Sequence, residues 1–106
     1  MKLPIEIENK IDKLNALCNK YGVNKVFVFG SIAKGNFNSK TSDIDLIVEL
    51  KDLPPIEKGE NLMNLWTDLE RLFARKVDLL TTLNIKNPYL KNEIENSKFL
   101  IYDRAS

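Results

Sequence analysis

Residues 30–45, GSIAKGNFNSKTSDID, join two apolar runs and carry most of the chemical information in the sequence. The run before them, KVFVFG, ends in a glycine followed by a serine. The run after them, DIDLIVEL, opens with two aspartates separated by one residue. Because successive side chains of a β-strand point to opposite faces, we expect Asp43 and Asp45 to project together from one face. Two carboxylates at one strand end repel each other, and a divalent cation would relieve that repulsion.

The residue types around these aspartates predict a metal-and-phosphate site. Carboxylate oxygens suit Mg²⁺ or Mn²⁺. Gly30 permits a positive φ or a close backbone approach, and Ser31 can cap a short helix whose free N–H groups attract phosphate. Phosphate and metal would therefore meet in one pocket.

Two better-known loops share part of this pattern, and both are excluded. Gly30 and Gly35 have the glycine spacing of a P-loop, but Asn36 and Phe37 stand where that motif needs Lys followed by Ser or Thr. An EF-hand loop starting at Asp43 would need a glycine where Val48 stands and a glutamate where Pro54 stands.

Composition limits the class of protein. The 106 residues are expected to form a single domain, residues 1–106. Sixteen basic and fifteen acidic residues give a net charge of +1, so we expect no direct nucleic-acid binding. Cys18 is the lone cysteine, which excludes an intrachain disulfide and favours a reducing cytoplasm. No run has membrane-spanning length, so the sequence predicts a soluble protein with no membrane contact.

The sequence contains no histidine, and this limits the mechanism more than any other feature of composition. Any general base must be a carboxylate, a metal-bound hydroxide, a lysine or a group of the substrate. Serine–histidine and cysteine–histidine hydrolysis are excluded.

Hydrophobic periodicity predicts helices and strands in alternation, which is typical of an α/β (α+β) sandwich with a small mixed β-sheet covered by helices. We expect, in order, a helix from Pro4 to Gly22, a central strand over 25–29 covered on both faces, a short helix after Ser31, a strand over 43–50, a long helix through 62–73, a strand over 76–81, a helix over 89–96 and a strand over 99–102. A polar, turn-rich loop over 36–42 leads into the second strand.

Several single residues have two interpretations. Trp66 falls on the apolar stripe of the long helix, which favours core packing over a base-stacking platform. Lys34 and Lys40 are either solvated loop charges, the usual state of lysine, or contacts to a triphosphate. Asp78 lies inside an apolar strand, where it either pairs with an arginine or faces water at an edge. The neighbouring Asp-x-Asp strand favours a functional role for it.

The run Gly30-Ser31, Ala33, Gly35 and Ser42-Asp43-Ile44-Asp45-Leu46 resembles the signature of the DNA polymerase beta-like nucleotidyltransferase superfamily, and most closely its minimal nucleotidyltransferase (MNT) family. The resemblance implies the nucleotidyltransferase fold for nearly the whole chain. It also implies roles for individual residues. Asp43, Asp45 and Asp78 match the catalytic, metal-binding carboxylates, while Gly30, Ser31, Lys34 and Ser42 fall in the nucleotide-binding part of the motif. Lys34 stands where relatives often carry arginine, so it keeps the charge without bidentate geometry.

The resemblance further implies a reaction and a partner. Two Mg²⁺ ions, or Mn²⁺, would grip the phosphates of ATP while a hydroxyl attacks the α-phosphorus. The usual MNT partner is a HEPN-domain toxin, and the implied activity is transfer of AMP to a toxin tyrosine by an antitoxin. Two alternatives remain open: an antitoxin that neutralises its partner by binding alone, and a small-molecule nucleotidyltransferase completed by homo- or hetero-oligomerisation.

Overall fold

The computed structural model describes residues 3–38, 40, 42–81 and 86–105. The elements in chain order are α1 (Ile5–Glu8), α2 (Ile11–Tyr21), β1 (Val23–Phe29), β2 (Ile44–Leu50), α3 (Pro55–Phe73), β3 (Val77–Thr81), α4 (Pro88–Ser97) and β4 (Phe99–Asp103). All four predicted strands are present. Positions 39 and 41 of the predicted loop over 36–42 lie outside the described residues.

The four strands form one sheet in the order β3-β2-β1-β4. β1 is antiparallel to both β2 and β4, whereas β2 and β3 are parallel. A parallel pair needs a crossover connection, and α3 supplies it. The mixed sheet with helical cover confirms the predicted fold class, and the central place of β1 is also confirmed.

The main core lies between one face of the sheet and helices α2 and α3. Apolar residues at alternate positions of β1 and β2 face it, because strand side chains alternate between faces. The fully buried side chains of this layer include Leu14, Cys18, Val26, Val28, Ile44, Leu46, Val48, Leu65 and Leu69. Cys18 therefore packs as a small apolar residue, and its burial raises the pKa of the thiol to about 12.

The second face of the sheet carries Phe27, Phe29, Asp45 and Ile47, as the β1–β2 register requires. Ile47 is buried there, outside the main core cluster, whereas Phe27 and Phe29 are only half-buried. The predicted cover on both faces of β1 is therefore incomplete. The ammonium of Lys98, at the end of α4, lies 4.2 Å from the centre of the Phe27 ring, which places this end of α4 on the second face.

The predicted helix ends are partly confirmed. Gly22 ends α2 in the left-handed conformation with φ of 71°, and the Asn87 side chain accepts the N–H groups of Tyr89 and Leu90 at the start of α4. The first helix is not continuous, however. The N–H of Lys10 bonds three residues back to Ile7, at 2.9 Å, and α2 begins only after this tight turn.

Trp66 corrects a prediction of core packing. The residue is 36% exposed, and its indole N–H donates to the carbonyl of Val77 at 2.7 Å. It lies at the rim between α3 and β3, where a polar N–H can find a partner. Among the described residues, no helix is long and apolar enough to span a membrane.

Candidate functional site

Two of the predicted carboxylates are neighbours across the parallel strand pair. Asp45, the second residue of β2, is the direct partner of Asp78, the second residue of β3. Partners on adjacent strands lie about 4.8 Å apart and point to the same face. Asp45 is half-buried and Asp78 is exposed. The strand register thus brings together residues that are far apart in sequence.

Asp43 is the third acid of this group, and it lies just before β2. Its carboxylate is partly exposed and stands 4.0 Å from the ammonium of Lys76, the residue that precedes β3. Burial, followed by the negative charges of Asp78 and then Asp43, raises the pKa of Asp45 to about 6. The three carboxylates therefore act on one another as like charges.

Gly30 forms the wall of the site beside Asp45. It follows β1 directly, has φ of +66°, and lies so close to Asp45 that an added Cβ would be 2.2 Å from a carboxylate oxygen. Its φ is costly for any residue with a side chain. Both the conformation and the space thus require glycine, as its place in the motif predicts.

The segment after Gly30 forms consecutive turns over residues 31–35, and the short helix predicted there is absent. The N–H of Lys34 donates to the carbonyl of Gly30 at 3.0 Å, and the N–H of Asn36 donates to the carbonyl of Ser31 at 2.9 Å. These bonds span four and five residues, so no regular ladder develops, and Ser31 does not cap a helix. The buried Ile32 anchors the turn in the core.

Ser42 has a structural role in the loop that delivers Asp43. Its hydroxyl oxygen accepts the N–H of Asn38 at 2.9 Å, and its own N–H donates to the carbonyl of Asn38 at 2.8 Å. Its carbonyl accepts a bond from Arg75 at 3.3 Å. The guanidinium of Arg75 also lies 5.1 Å from the centre of the Phe37 ring. Arg75 thus ties the start of β3 to the loop before β2.

Lys34 is exposed and forms an ion pair with Glu93 of α4, with 2.7 Å between the nitrogen and the oxygen. The hydrogen bond from Lys34, together with its charge, lowers the pKa of Glu93. Lys34 is therefore not a free solvated charge, because its ammonium is paired with Glu93. The pair links the turn after β1 to α4.

Six of the seven predicted site residues thus fall into two groups, and the seventh, Ser31, lies in the turn after Gly30. Gly30 and the three aspartates come together at the ends of neighbouring strands, whereas Ser42 and Lys34 have partners elsewhere. Sequence reasoning placed Arg75 and Lys76 near the negative C-terminal end of the long helix and gave them no part in the site, where they contact Ser42 and Asp43. The one signal in the sequence for Arg75 and Lys76 was that two adjacent basic residues come just before a strand that carries an aspartate.

The donor chemistry of the acidic group fits a hard divalent cation, because every side-chain donor is a carboxylate oxygen. Burial raises the pKa of Asp45 most, the charges of Asp78 and Asp43 raise it further, and a bound cation would relieve this repulsion. Within the part of the chain that the structure describes, no three acidic, histidine or cysteine side chains are arranged to hold a metal ion as they stand. The strand register already places Asp45 and Asp78 side by side. Rotation of the side chains would therefore be enough to bring the carboxylates around one ion.

Comparison with known families tests this interpretation. The model of the polymerase beta nucleotidyltransferase family matches residues 12–106, which include every residue of the acidic group. The chain belongs to this family. The nucleotidyltransferase is also 39% identical over 97 residues to the candidate protein adenylyltransferase MJ1379 of Methanocaldococcus jannaschii, a match that covers 92% of this chain and 91% of that protein.

Solved structures agree with the fold. A candidate minimal nucleotidyltransferase superposes with a TM-score of 0.71 at 25% identity, over 88% of this nucleotidyltransferase and 90% of that chain. A chain of a toxin–antitoxin complex with AMP-PNP superposes with a TM-score of 0.62, also at 25% identity, over 91% of this chain and 73% of that one. The minimal nucleotidyltransferase resemblance drawn from the motif is thereby confirmed.

Proposed function

We propose that this nucleotidyltransferase is a Mg²⁺-dependent protein adenylyltransferase that moves AMP from ATP to a tyrosine hydroxyl of a partner HEPN-domain toxin and so acts as an antitoxin. The observation that carries the proposal is the pairing of Asp45 with Asp78 beside Gly30, with Asp43 coupled to Asp45 by charge. The name of the 39% identical relative and the toxin–antitoxin complex with AMP-PNP support the same activity.

In this mechanism Asp43, Asp45 and Asp78 would hold Mg²⁺, which neutralises phosphate charge when it is bound. The turn after Gly30 presents backbone N–H groups to the phosphates. The acceptor oxygen attacks the α-phosphorus, the bond from that phosphorus to the bridging oxygen breaks, and pyrophosphate leaves. The hydroxyl proton passes to Asp78, the exposed member of the group, because the sequence has no histidine to accept it.

The accessibility of the acids suits a macromolecular acceptor. Asp78 is exposed on the β3 edge strand, and the carboxylate of Asp43 is partly exposed. A tyrosine on the surface of another protein can approach such a site without a channel. A deeply enclosed pocket would instead favour a small metabolite.

The test uses the protein encoded by the neighbouring gene, checked for a HEPN motif, with α-labelled ATP and Mg²⁺. We expect the label on a tyrosine of that protein, located by mass spectrometry, and no label with Asp43→Asn. The absence of transfer by folded wild-type protein would overturn the proposal, as would equal transfer by Asp43→Asn.

Two other outcomes identify the competing functions. An Asp43→Asn/Asp45→Asn variant that neutralises the toxin at equal expression would favour an antitoxin that acts by binding alone. Label on a metabolite, formed by the protein without its partner, would favour a small-molecule nucleotidyltransferase completed by oligomerisation.

If Lys34 contacts the triphosphate, Glu93 competes with the substrate for it, because the two side chains form an ion pair. Glu93→Gln is then expected to lower the KM for ATP about two- to fivefold, the range that one exposed pair allows. Lys34→Ala should raise this KM. The dependence of the transfer rate on ATP concentration tests both expectations. The melting temperature of each variant should hardly change, because both side chains are exposed.

Glu95→Gln is the matched control for this comparison. It removes the same charge from the same helix, but Glu95 pairs with Lys98 and not with the turn after β1. Equal KM values for the two variants would mean that Glu93 does not compete with ATP for Lys34.

A further inference from the structure

The first residue of β3 lies at an open edge of the sheet. β3 pairs with β2 alone among the described strands. The carbonyl of Lys76 accepts the N–H of Ile44 at 3.1 Å, so the residue before Val77 is turned towards β2. Because backbone groups alternate in direction along a strand, the N–H and carbonyl of Val77 point away from β2. Both groups need other partners.

Two side chains of α3 supply these partners. The N–H of Val77 donates to the Glu70 carboxylate at 3.0 Å, and the indole of Trp66 donates to the Val77 carbonyl at 2.7 Å. Trp66 and Glu70 are four residues apart and therefore lie on one face of α3. The side chain of Val77 is fully buried in the core. The residue is thus held by its side chain and by both of its backbone polar groups.

This arrangement bears directly on Asp78. The Val77 carbonyl belongs to the peptide plane that runs from the Val77 Cα to the Asp78 Cα, and that plane is rigid. Fixing the carbonyl and the N–H of Val77 therefore restrains the position of the Asp78 Cα, from which the side chain projects. Asp78 is exposed, so core packing does not orient its side chain. The β2–β3 register places Asp78 on the face of Asp45, and the position of its Cα also depends on the backbone that precedes it.

We propose that Trp66 and Glu70 are positioning residues that hold Asp78 opposite Asp45 so that both carboxylates can serve one divalent cation. The inference rests on the proposed function, because it assigns Asp78 to the metal-binding group. Two side chains of α3 would then help to hold the site in place. A tryptophan at 36% exposure thereby has a role that neither core packing nor base stacking describes.

The variants separate the two hydrogen bonds from the bulk of the side chains. Trp66→Phe keeps an aromatic ring but loses the donor. Glu70→Gln keeps an oxygen that can accept the Val77 N–H, whereas Glu70→Ala does not. Thr67→Ala is the control on α3, because the Thr67 hydroxyl bonds only within the helix, to the Met63 carbonyl at 3.1 Å.

The readout is the affinity of the purified protein for Mn²⁺, measured from the free-ion signal in electron paramagnetic resonance. We expect Trp66→Phe and Glu70→Ala to weaken binding about tenfold, the lower end for residues that orient metal ligands. Glu70→Gln and Thr67→Ala should stay close to wild type. This measurement needs neither ATP nor an acceptor, so it can succeed or fail independently of the transfer assay.

A double-mutant cycle with Asp78→Asn distinguishes positioning from general stabilisation. If Trp66 acts through Asp78, Trp66→Phe weakens Mn²⁺ binding in the wild-type background and has no further effect in the Asp78→Asn background. The same weakening in both backgrounds would overturn the proposal. Unchanged Mn²⁺ affinity in both Trp66→Phe and Glu70→Ala, with the protein folded by circular dichroism, would also overturn it.

Discussion

Replacement of Asp45 by asparagine is expected to lower AMP transfer about a thousandfold or more. Asparagine keeps the shape of the side chain but removes the charge at the residue that is paired with Asp78, coupled to Asp43 and in contact with Gly30. Loss of several kcal/mol of charge stabilisation at the phosphates corresponds to a decrease of this size. Single-turnover transfer of labelled AMP measures it.

Glu49→Gln is the matched control for Asp45→Asn. Glu49 is on the same strand and, by alternation, on the same face, and it is half-buried like Asp45. The same loss of charge four residues further along β2 should leave transfer within about twofold of wild type, because at about 3.3 Å per residue it lies about 13 Å from Asp45. A comparable loss in both variants would show that net charge, and not the site, controls the reaction.

The same Asp45→Asn variant should be more stable than wild type in the absence of divalent cations. The pKa of Asp45 is about 6 in the folded protein, against an ordinary value of 3.8. The folded state therefore binds this proton more tightly, so the contribution of Asp45 to wild-type stability is most favourable below about pH 3.8 and declines as the pH rises through about 6. Asparagine has no proton to lose and escapes this decline.

Thermal melts across this pH range test the electrostatic part of the interpretation. The variant should melt with wild type at about pH 3.5 and about 2–5 °C above it at pH 8, a modest gain because Asp45 is only half-buried. Added Mg²⁺ should stabilise wild type more than the variant. Identical melting temperatures at every pH would show that neither burial nor the charges of Asp78 and Asp43 disfavour the ionised form of Asp45.

The sequence predicted the elements of this fold well because the signals for them are local. Alternating and helical periodicity depends on neighbouring residues, and so do the stop at Gly22 and the cap at Asn87. The errors occurred where a distant contact overrides local preference. The ammonium of Lys10 bonds to the Leu72 carbonyl at 2.7 Å, near the end of α3, at the point where the predicted first helix is interrupted.

The residue types of the site could be predicted from the sequence, but the contacts that hold these residues in place could not. The spacing of Asp43 and Asp45 gives a common face from strand geometry alone. That Asp78 lies directly opposite Asp45 depends on the β2–β3 register, which no local pattern specifies. The bonds of Trp66 and Glu70 to Val77 likewise exist only because α3 folds back against an edge strand.

Replacement of Gly30 by alanine is expected to remove most of the transfer activity and to destabilise the fold. The new Cβ would lie 2.2 Å from an oxygen of Asp45, so either the turn or the Asp45 side chain must move. Displacement of a reacting group by about 1 Å costs about a hundredfold in rate. The φ of +66° adds a backbone cost of about 1–2 kcal/mol. Transfer assays and denaturant unfolding measure the two effects.

Gly35→Ala separates the clash at Gly30 from the cost of the backbone conformation. Gly35 also has a positive φ, +76°, but an added Cβ would have nothing within 4 Å. This variant should lose a similar 1–2 kcal/mol, approximately, and keep most of its transfer activity. Because both glycines lie in the same turn, only contact with Asp45 distinguishes them. Equal losses of activity would mean that the flexibility of the turn matters, and that the space Gly30 leaves for the carboxylate does not.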